Sequence, residues 1–73
     1  MKRIWLKNKR EEMGLSRPEV AKLVNITHAY YFYIENGERR PSPSVAQRIA
    51  SVLGFPEKWY KLLEDTESEV EIA

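Results

Sequence analysis

Residues 15–37 read LSRPEVAKLVNITHAYYFYIENG, and this stretch predicts two short helices in close succession. Ser16 and Glu19 have the spacing of a capping box, in which the serine hydroxyl accepts from the Glu19 backbone N–H and the Glu19 carboxylate accepts from the Ser16 N–H. Pro18 lies in the first turn, where a missing N–H costs no hydrogen bond. We therefore expect a helix that begins at Ser16 and ends near Asn25.

A second helix follows after a very short turn. Thr27 is suited to cap its start, and Gly37 is suited to the left-handed position after its end at Asn36. Asn25 fits the turn because asparagine adopts a positive φ more readily than other residues with a side chain. Two short helices joined this closely must cross steeply, which is the arrangement of a helix-turn-helix unit.

The flanking sequence predicts three further helices. The first spans about residues 2–12 before Gly14, the fourth begins at Ser42 or Ser44 and ends at Gly54, and the fifth runs from Pro56 to about residue 64. No stretch alternates with the period of a strand. We expect an all-α, compact five-helix domain at residues 1–65, followed by an acidic and disordered tail at residues 66–73.

The composition excludes several classes of protein. The chain has 73 residues, which leave room for one small core, and it has no cysteine. Its one histidine, His28, cannot form a metal cluster, so we expect no metal, no cofactor, no small-molecule substrate and no enzymatic activity. The longest apolar run, residues 29–34, is far too short to span a membrane. The N-terminus is too charged for a secretory signal, and we expect a soluble cytoplasmic protein.

The apolar residues at helical spacing predict the core. The candidates are Leu6, Met13, Leu15, Val20, Val24, Ile26, Ile34, Val45, Ile49, Leu53 and Phe55.

The charge is divided between the two parts of the chain. Residues 1–48 carry ten basic and five acidic residues, and residues 49–73 carry two basic and six acidic ones, which gives +5 and −4 within a net charge of +1. This division favours a basic binding surface followed by an acidic segment. Ordinary solvated helices show similar patterns, so charge alone leaves both interpretations open.

The helix from Thr27 to Asn36 has two distinct faces. At about 100° per residue, Ile34 and Glu35 lie within about 60° of Tyr31, and these three side chains face inward. The opposite arc, which faces solvent, consists of Ala29, Phe32, Tyr33 and Asn36, with His28 and Tyr30 at its flanks.

Three runs carry a close resemblance to a known family: residues 15–21 (LSRPEVA), 25–27 (NIT) and 30–42 (YYFYIENGERRPS). Together with Lys9-Arg10, Gly14 and the run from Ala46 to Gly54, this ordered set resembles the phage-repressor/Cro (XRE-like) helix-turn-helix family over about residues 3–63. The resemblance implies a lambda-repressor-like DNA-binding domain with its helix-turn-helix at helices 2 and 3. It also implies a homodimer on a double-stranded DNA operator, with half-sites about 34 Å apart and helix 3 in the major groove.

The outward arc of helix 3 coincides with the positions that read bases in that family. These are His28, Ala29, Phe32 and Tyr33, where relatives usually carry Gln, Arg, Ser or Asn. Ala29 and Phe32 suit contact with thymine methyl groups, so we expect thymines at the centre of each half-site. Two alternatives stay open for Tyr30, Phe32 and Tyr33, which are packing within the monomer and an exposed protein-binding patch. For His28 a base or phosphate contact is expected, and the alternatives are a residue at the helix start with no further role and a metal ligand.

We expect contacts with the DNA backbone from Arg17, Tyr30, Asn36, Arg39 and Arg40. Arg39 and Arg40, which follow the third helix, suit either phosphate or minor-groove contact. Arg17 stands where the family commonly has a glutamine, and an arginine there strengthens phosphate contact without adding sequence information. The alternative for each arginine is an ordinary solvated side chain.

Two further predictions concern an ion pair and the assembly of the protein. In the family, the residues corresponding to Arg10 and Glu35 form a partly buried ion pair, and an inward-facing Glu35 requires a cationic partner. The family's dimer contacts correspond to a candidate interface around the last two helices, at Val52, Trp59, Tyr60 and Leu63. The alternative is that Trp59 closes the monomer's own core.

The resemblance therefore implies a sequence-specific transcriptional regulator that acts as a repressor at the nucleoid, and its compact form resembles regulators carried by phages and mobile elements. The alternative is a protein-interaction module that uses the aromatic face of helix 3.

Overall fold

The computed structural model describes residues 2–64 and folds into five helices within that range. They are α1 (Ile4–Glu12), α2 (Arg17–Leu23), α3 (His28–Glu35), α4 (Pro43–Leu53) and a 3₁₀ helix, η1 (Pro56–Leu62). No strand occurs in this part of the chain, so the all-α fold class is confirmed. The tail expected at residues 66–73, and the two end residues of the expected domain, lie outside the described residues.

The first helix begins two residues later than the sequence suggests. Arg3 has φ −89° and ψ 76°, outside the helical range, and its backbone N–H donates to the Glu35 carbonyl at 2.9 Å. This long-range bond withdraws Arg3 from the helix, so α1 starts at Ile4.

The helix-turn-helix unit forms through the caps that the sequence predicts. The Glu19 N–H donates to Ser16 Oγ at 3.2 Å, and the Ser16 N–H donates to Glu19 Oε1 at 2.7 Å. These bonds hold the pKa of the Glu19 carboxyl below its ordinary value. Asn25 takes a positive φ of 64° in the turn, and Thr27 Oγ1 accepts from the Tyr30 N–H at 3.0 Å.

In the two C-terminal helices the structure selects one of two candidate caps and departs from the expected geometry of the last helix. Of the two candidate caps, Ser42 is the one used, and its Oγ accepts from the Val45 N–H at 3.2 Å. The fifth helix is 3₁₀ rather than α and is interrupted at Lys58, whose φ of −114° is not helical. It ends at Leu62, two residues earlier than expected.

The core is built mainly around α4, which contributes Val45, Ala46, Ile49, Ala50 and Leu53. Tyr31 of α3 is the largest fully buried side chain. The assignment of Met13 to the core was wrong, because it follows the last residue of α1 and its side chain is 50% exposed. No helix among the described residues is long and apolar enough to cross a membrane.

Candidate nucleic-acid interface

Helix α3 has the buried and exposed faces that its spacing predicts. Tyr31 and Ile34 are fully buried, and Glu35 is only 4% exposed. On the opposite side Ala29 is exposed and Tyr33 is 39% exposed. The helix therefore presents a solvent-facing surface on a base that is fixed in the core.

The four candidate base-reading residues share this outward surface. His28 and Ala29 are exposed at the start of α3, and Phe32 is half-buried beside Tyr33. An open cleft of about 280 Å³ lies along the same surface and is lined by Thr27, Ala29, Tyr30, Tyr33 and Arg39. It brings candidate base-reading residues next to candidate backbone-contacting ones.

The aromatic side chains of α3 differ in their surroundings. Tyr30 is half-buried and packs against the hydrophobic core. Phe32 instead contacts Tyr33, with ring centroids 5.8 Å apart at 64°, and lies beneath the guanidinium of Arg17, 5.1 Å from its centroid. Tyr30 is therefore partly packed within the monomer, whereas the ring contacts of Phe32 lie at the surface.

Glu35 is the centre of a buried polar cluster beneath this surface. Arg10 donates from Nε to Glu35 Oε2 at 2.8 Å and from Nη2 to Oε1 at 3.2 Å. The Tyr31 hydroxyl donates to Oε2 at 3.0 Å. The bond to Glu35 raises the pKa of the Arg10 guanidinium, and burial, followed by the Glu35 charge, raises that of the Tyr31 hydroxyl well above its ordinary range.

Arg17 also approaches this cluster. Its Nη1 lies 3.7 Å from Glu35 Oε1, and its side chain remains 40% exposed. The expectation of a phosphate contact did not include the contacts with Phe32 and Glu35. The spacing of Phe32 and Glu35 shows only that the two are neighbours on one helix, and it does not indicate that Arg17 of α2 reaches both.

Arg3 is a structural residue that the sequence reasoning missed. It is 5% exposed, and its guanidinium donates to the carbonyls of Ile34, Arg39 and Leu62, the last two at 3.1 and 3.4 Å. These carbonyls belong to the end of α3, the following loop and η1. A cation near a helix C-terminus is a favourable pattern, but the sequence does not indicate a contact across about thirty positions.

The loop after α3 is tied to the end of the helix. The backbone N–H groups of Glu38 and Arg39 both donate to the Tyr33 carbonyl, at 2.8 and 3.2 Å. The side chains of Arg39 and Arg40 are exposed, and Asn36 is half-buried. This arrangement holds two cations beside the outward surface of α3 on a well-anchored loop.

A second, smaller cleft of about 150 Å³ carries positive charge at the start of the chain. It is lined by Lys2, Arg3, Ile4, Lys7, Arg17, Glu35 and Asn36. Asn36 and Arg17 thus border a cleft whose rim has exposed lysines. Such a site favours an anion such as a phosphate.

The candidate dimer residues lie on α4 and η1. Tyr60 is exposed, whereas Val52, Trp59 and Leu63 are half-buried and pack against the core. Trp59 therefore packs in part against the monomer's own core, as the alternative to a dimer contact requires. Val52 also lines a groove of about 380 Å³ together with Leu23, which is 59% exposed.

No cluster of potential metal ligands occurs among residues 2–64.

Comparison with known proteins agrees with this geometry. A helix-turn-helix family model matches residues 6–60, which is most of the chain. An uncharacterized HTH-type transcriptional regulator of Bacillus subtilis, YqaF, is 46% identical over 69 residues, which cover 94% of this chain and 88% of the relative. An uncharacterized HTH-type transcriptional regulator of Methanothermobacter thermautotrophicus is 36% identical over 52 residues, which cover 71% and 75%. No solved structure gives a significant match.

Proposed function

The chain belongs to the XRE-like helix-turn-helix family of DNA-binding transcriptional regulators, and we propose that it represses transcription by placing α3 in the major groove of a specific operator. The observation that carries this proposal is the division of α3 into a fixed and an accessible face. Tyr31, Ile34 and Glu35 are buried, while Ala29 and Tyr33 are exposed. A helix anchored in this way can enter a groove without losing its own packing.

The outward surface of α3 supports apolar recognition of bases. Ala29 and Phe32 offer carbon atoms to thymine methyl groups, and His28 and the Tyr33 hydroxyl offer hydrogen bonds. The side-chain types that pair bidentately with guanine are absent from these four positions. We therefore propose an operator with thymines at the centre of each half-site.

Contact with the DNA backbone is assigned to the side chains that surround the outward surface of α3. Arg39 and Arg40 are exposed on the anchored loop, and Asn36, Tyr30 and Arg17 border the two clefts beside α3. Contacts with phosphates from such arginine, asparagine and tyrosine side chains fix the position of the domain on the duplex but do not read sequence. If a dimer neutralises about six phosphates, log K falls with log salt at a slope of about −5.

We further propose that two copies bind together, through the surface formed by Val52, Trp59, Tyr60 and Leu63. The exposed ring of Tyr60 and the exposed Leu23 beside Val52 supply apolar area for such a contact. A twofold dimer would recognise two half-sites about 34 Å apart. Occupancy of an operator that overlaps a promoter is enough to block transcription, as regulators of phages and mobile elements do.

The test is selection of bound duplexes from a random library, followed by affinity measurement at two salt concentrations. We expect a pseudo-palindromic consensus with central thymines and tighter binding at low salt. Guanine-rich half-sites would contradict the proposed readout. If no duplex is enriched, the aromatic surface of α3 is a protein-binding patch instead. Repression is then tested with a reporter promoter that contains the selected operator.

A further inference from the structure

The guanidinium of Arg17 connects two helices at the edge of the proposed reading surface. Its central carbon lies 5.1 Å from the centroid of the Phe32 ring. Its Nη1 lies 3.7 Å from Glu35 Oε1. Arg17 is the first residue of α2, whereas Phe32 and Glu35 are one turn apart on α3. One side chain thus contacts both an outward residue and a buried residue of the same helix.

The acidic partner of Arg17 does not move freely. Glu35 is held by two bonds from Arg10 and one from the Tyr31 hydroxyl, and it is almost fully buried. A charge fixed in this way orients the guanidinium that approaches it. The fixed Glu35 carboxylate therefore attracts the partly exposed Arg17 guanidinium toward one position beside α3.

The ring of Phe32 depends on this guanidinium for part of its surroundings. Phe32 does not belong to the hydrophobic core; its other ring contact is the edge-to-face contact with Tyr33 at 5.8 Å. An arginine stacks on an aromatic face through a flat, weakly hydrated guanidinium, whereas a lysine contacts a ring only as a compact, strongly hydrated charge. Arg17 and Tyr33 thus restrict the rotamers that Phe32 adopts on an otherwise open helix surface.

We infer that Arg17 is a specificity-positioning residue, which holds the Phe32 ring where it contacts a thymine methyl group. This inference rests on the proposed function and assigns Arg17 a role that a phosphate contact does not include. The chain of fixed groups runs from Arg10 through Glu35 and Arg17 to Phe32. Its consequence is that a change at Arg17 alters which base is preferred.

The test uses the operator selected with the wild-type protein, with each central thymine replaced in turn by deoxyuridine, which lacks only the methyl group. Loss of one buried methyl contact is expected to weaken wild-type binding about fourfold. For Arg17→Lys, which keeps the charge, we expect the thymine-over-uracil ratio to fall to about one while the salt slope stays unchanged. Phe32→Ala should lower the ratio equally, and the double variant should lower it no further.

Arg48→Lys is the matched control, because it makes the same chemical change at an exposed arginine of α4, outside the Phe32 contact and the proposed contacts with DNA. We expect it to keep the fourfold ratio. If Arg17→Lys also keeps that ratio, or if the wild type does not distinguish thymine from uracil at any central position, the inference is overturned while DNA binding stands. Failure of the proposed function is a different result, because the wild-type protein then selects no duplex.

A second measurement needs neither DNA nor a charge change. In the wild-type protein the Arg17 side-chain protons lie over the Phe32 ring, and we expect their NMR signals to be shifted upfield by the ring current. Phe32→Leu keeps an apolar side chain there and should remove the shift. Unshifted Arg17 signals in the wild type would overturn the inference even if a variant at position 17 failed to fold.

Discussion

The Arg10 guanidinium and the Glu35 carboxylate form a two-bond ion pair that joins α1 to the last turn of α3. Both side chains are more than nine-tenths buried. Removing one member of such a pair leaves a buried charge without compensation. We predict that Arg10→Met lowers the free energy of unfolding by about 3–5 kcal/mol, measured by urea denaturation at neutral pH.

Arg48→Met provides the matched control for that measurement. Arg48 is exposed on α4, so the same substitution there should change the free energy of unfolding by less than about 0.5 kcal/mol. Equal effects of the two substitutions would mean that the ion pair does not stabilise α3.

Arg3 fixes the end of α3, the following loop and η1 by donating to one carbonyl in each. We predict that Arg3→Met lowers the free energy of unfolding by about 2–4 kcal/mol, because buried carbonyls lose charge-assisted donors. It should also weaken operator binding, since the loop that carries Arg39 and Arg40 loses an anchor. Urea denaturation and affinity measurements check both effects. Lys2→Met is the control, and its neighbouring exposed side chain should matter little for stability.

Tyr31 makes stability depend on alkaline pH. Its pKa is raised in the folded protein by burial and by Glu35, so the folded state keeps the hydroxyl proton when the unfolded chain loses it. The contribution is therefore fully present below the ordinary tyrosine pKa of about 10 and is lost as pH rises above it. We predict that Tyr31→Phe is less stable at neutral pH, by about 1–2 kcal/mol, but loses stability less steeply between about pH 9 and pH 11. If urea denaturation shows that the free energy of unfolding falls equally steeply in the two proteins over that pH range, the prediction is contradicted.

The positions of the helices could be predicted from the sequence because their signals are local. Ser16, Thr27 and Ser42 each cap a helix by accepting from the backbone N–H three residues ahead. A glycine or an asparagine with positive φ marks where the chain turns. The inward face of α3 follows from helical spacing alone. The start of α1 and the 3₁₀ geometry of η1 did not follow, because Arg3 is held by distant carbonyls and Lys58 departs from helical angles without a sequence signal.

The sequence predicts which residues of the candidate site lie on the outward surface of α3, but not the contacts that hold them in place. Spacing indicates that Ala29, Phe32 and Tyr33 share an outward arc, and in the structure Ala29 and Tyr33 are exposed while Phe32 is half-buried. The contact between Arg17 and Phe32 depends on the angle at which α2 crosses α3, which no local pattern specifies. Met13 was misplaced for a related reason, since its spacing suits a buried face but α1 ends before it.

Arg39 and Arg40 are predicted to contribute to the salt dependence of DNA binding. Each phosphate contact contributes about 0.9 to the slope of log K against log salt, so removal of one arginine from both subunits of a dimer should make the slope shallower by about 2. Arg39→Ala and Arg40→Ala are compared with Arg48→Ala, whose α4 side chain lies outside the proposed contacts with DNA. Sequence preference should survive in both variants. An unchanged slope would exclude these arginines as phosphate contacts.

Tyr60→Glu is predicted to prevent dimer formation without unfolding the domain. Tyr60 is exposed, so the substitution adds a charge to the proposed interface but leaves the core intact. Sedimentation equilibrium should give twice the monomer mass for the wild type and the monomer mass for the variant. Asn8→Glu, an equal change on the exposed side of α1, should remain dimeric. A wild type that stays monomeric on its operator would exclude the interface.

The central claim is that the outward surface of α3 lies in the groove of a duplex, and hydroxyl-radical footprinting of the selected operator tests it most directly. The wild-type protein should protect two half-sites about 34 Å apart. Ala29→Glu should abolish protection, because it places a carboxylate against the bases, whereas Asn8→Glu, with the same added charge on the exposed side of α1, should preserve it. Full protection by the Ala29→Glu protein, or none by the wild type at low salt, would contradict the claim.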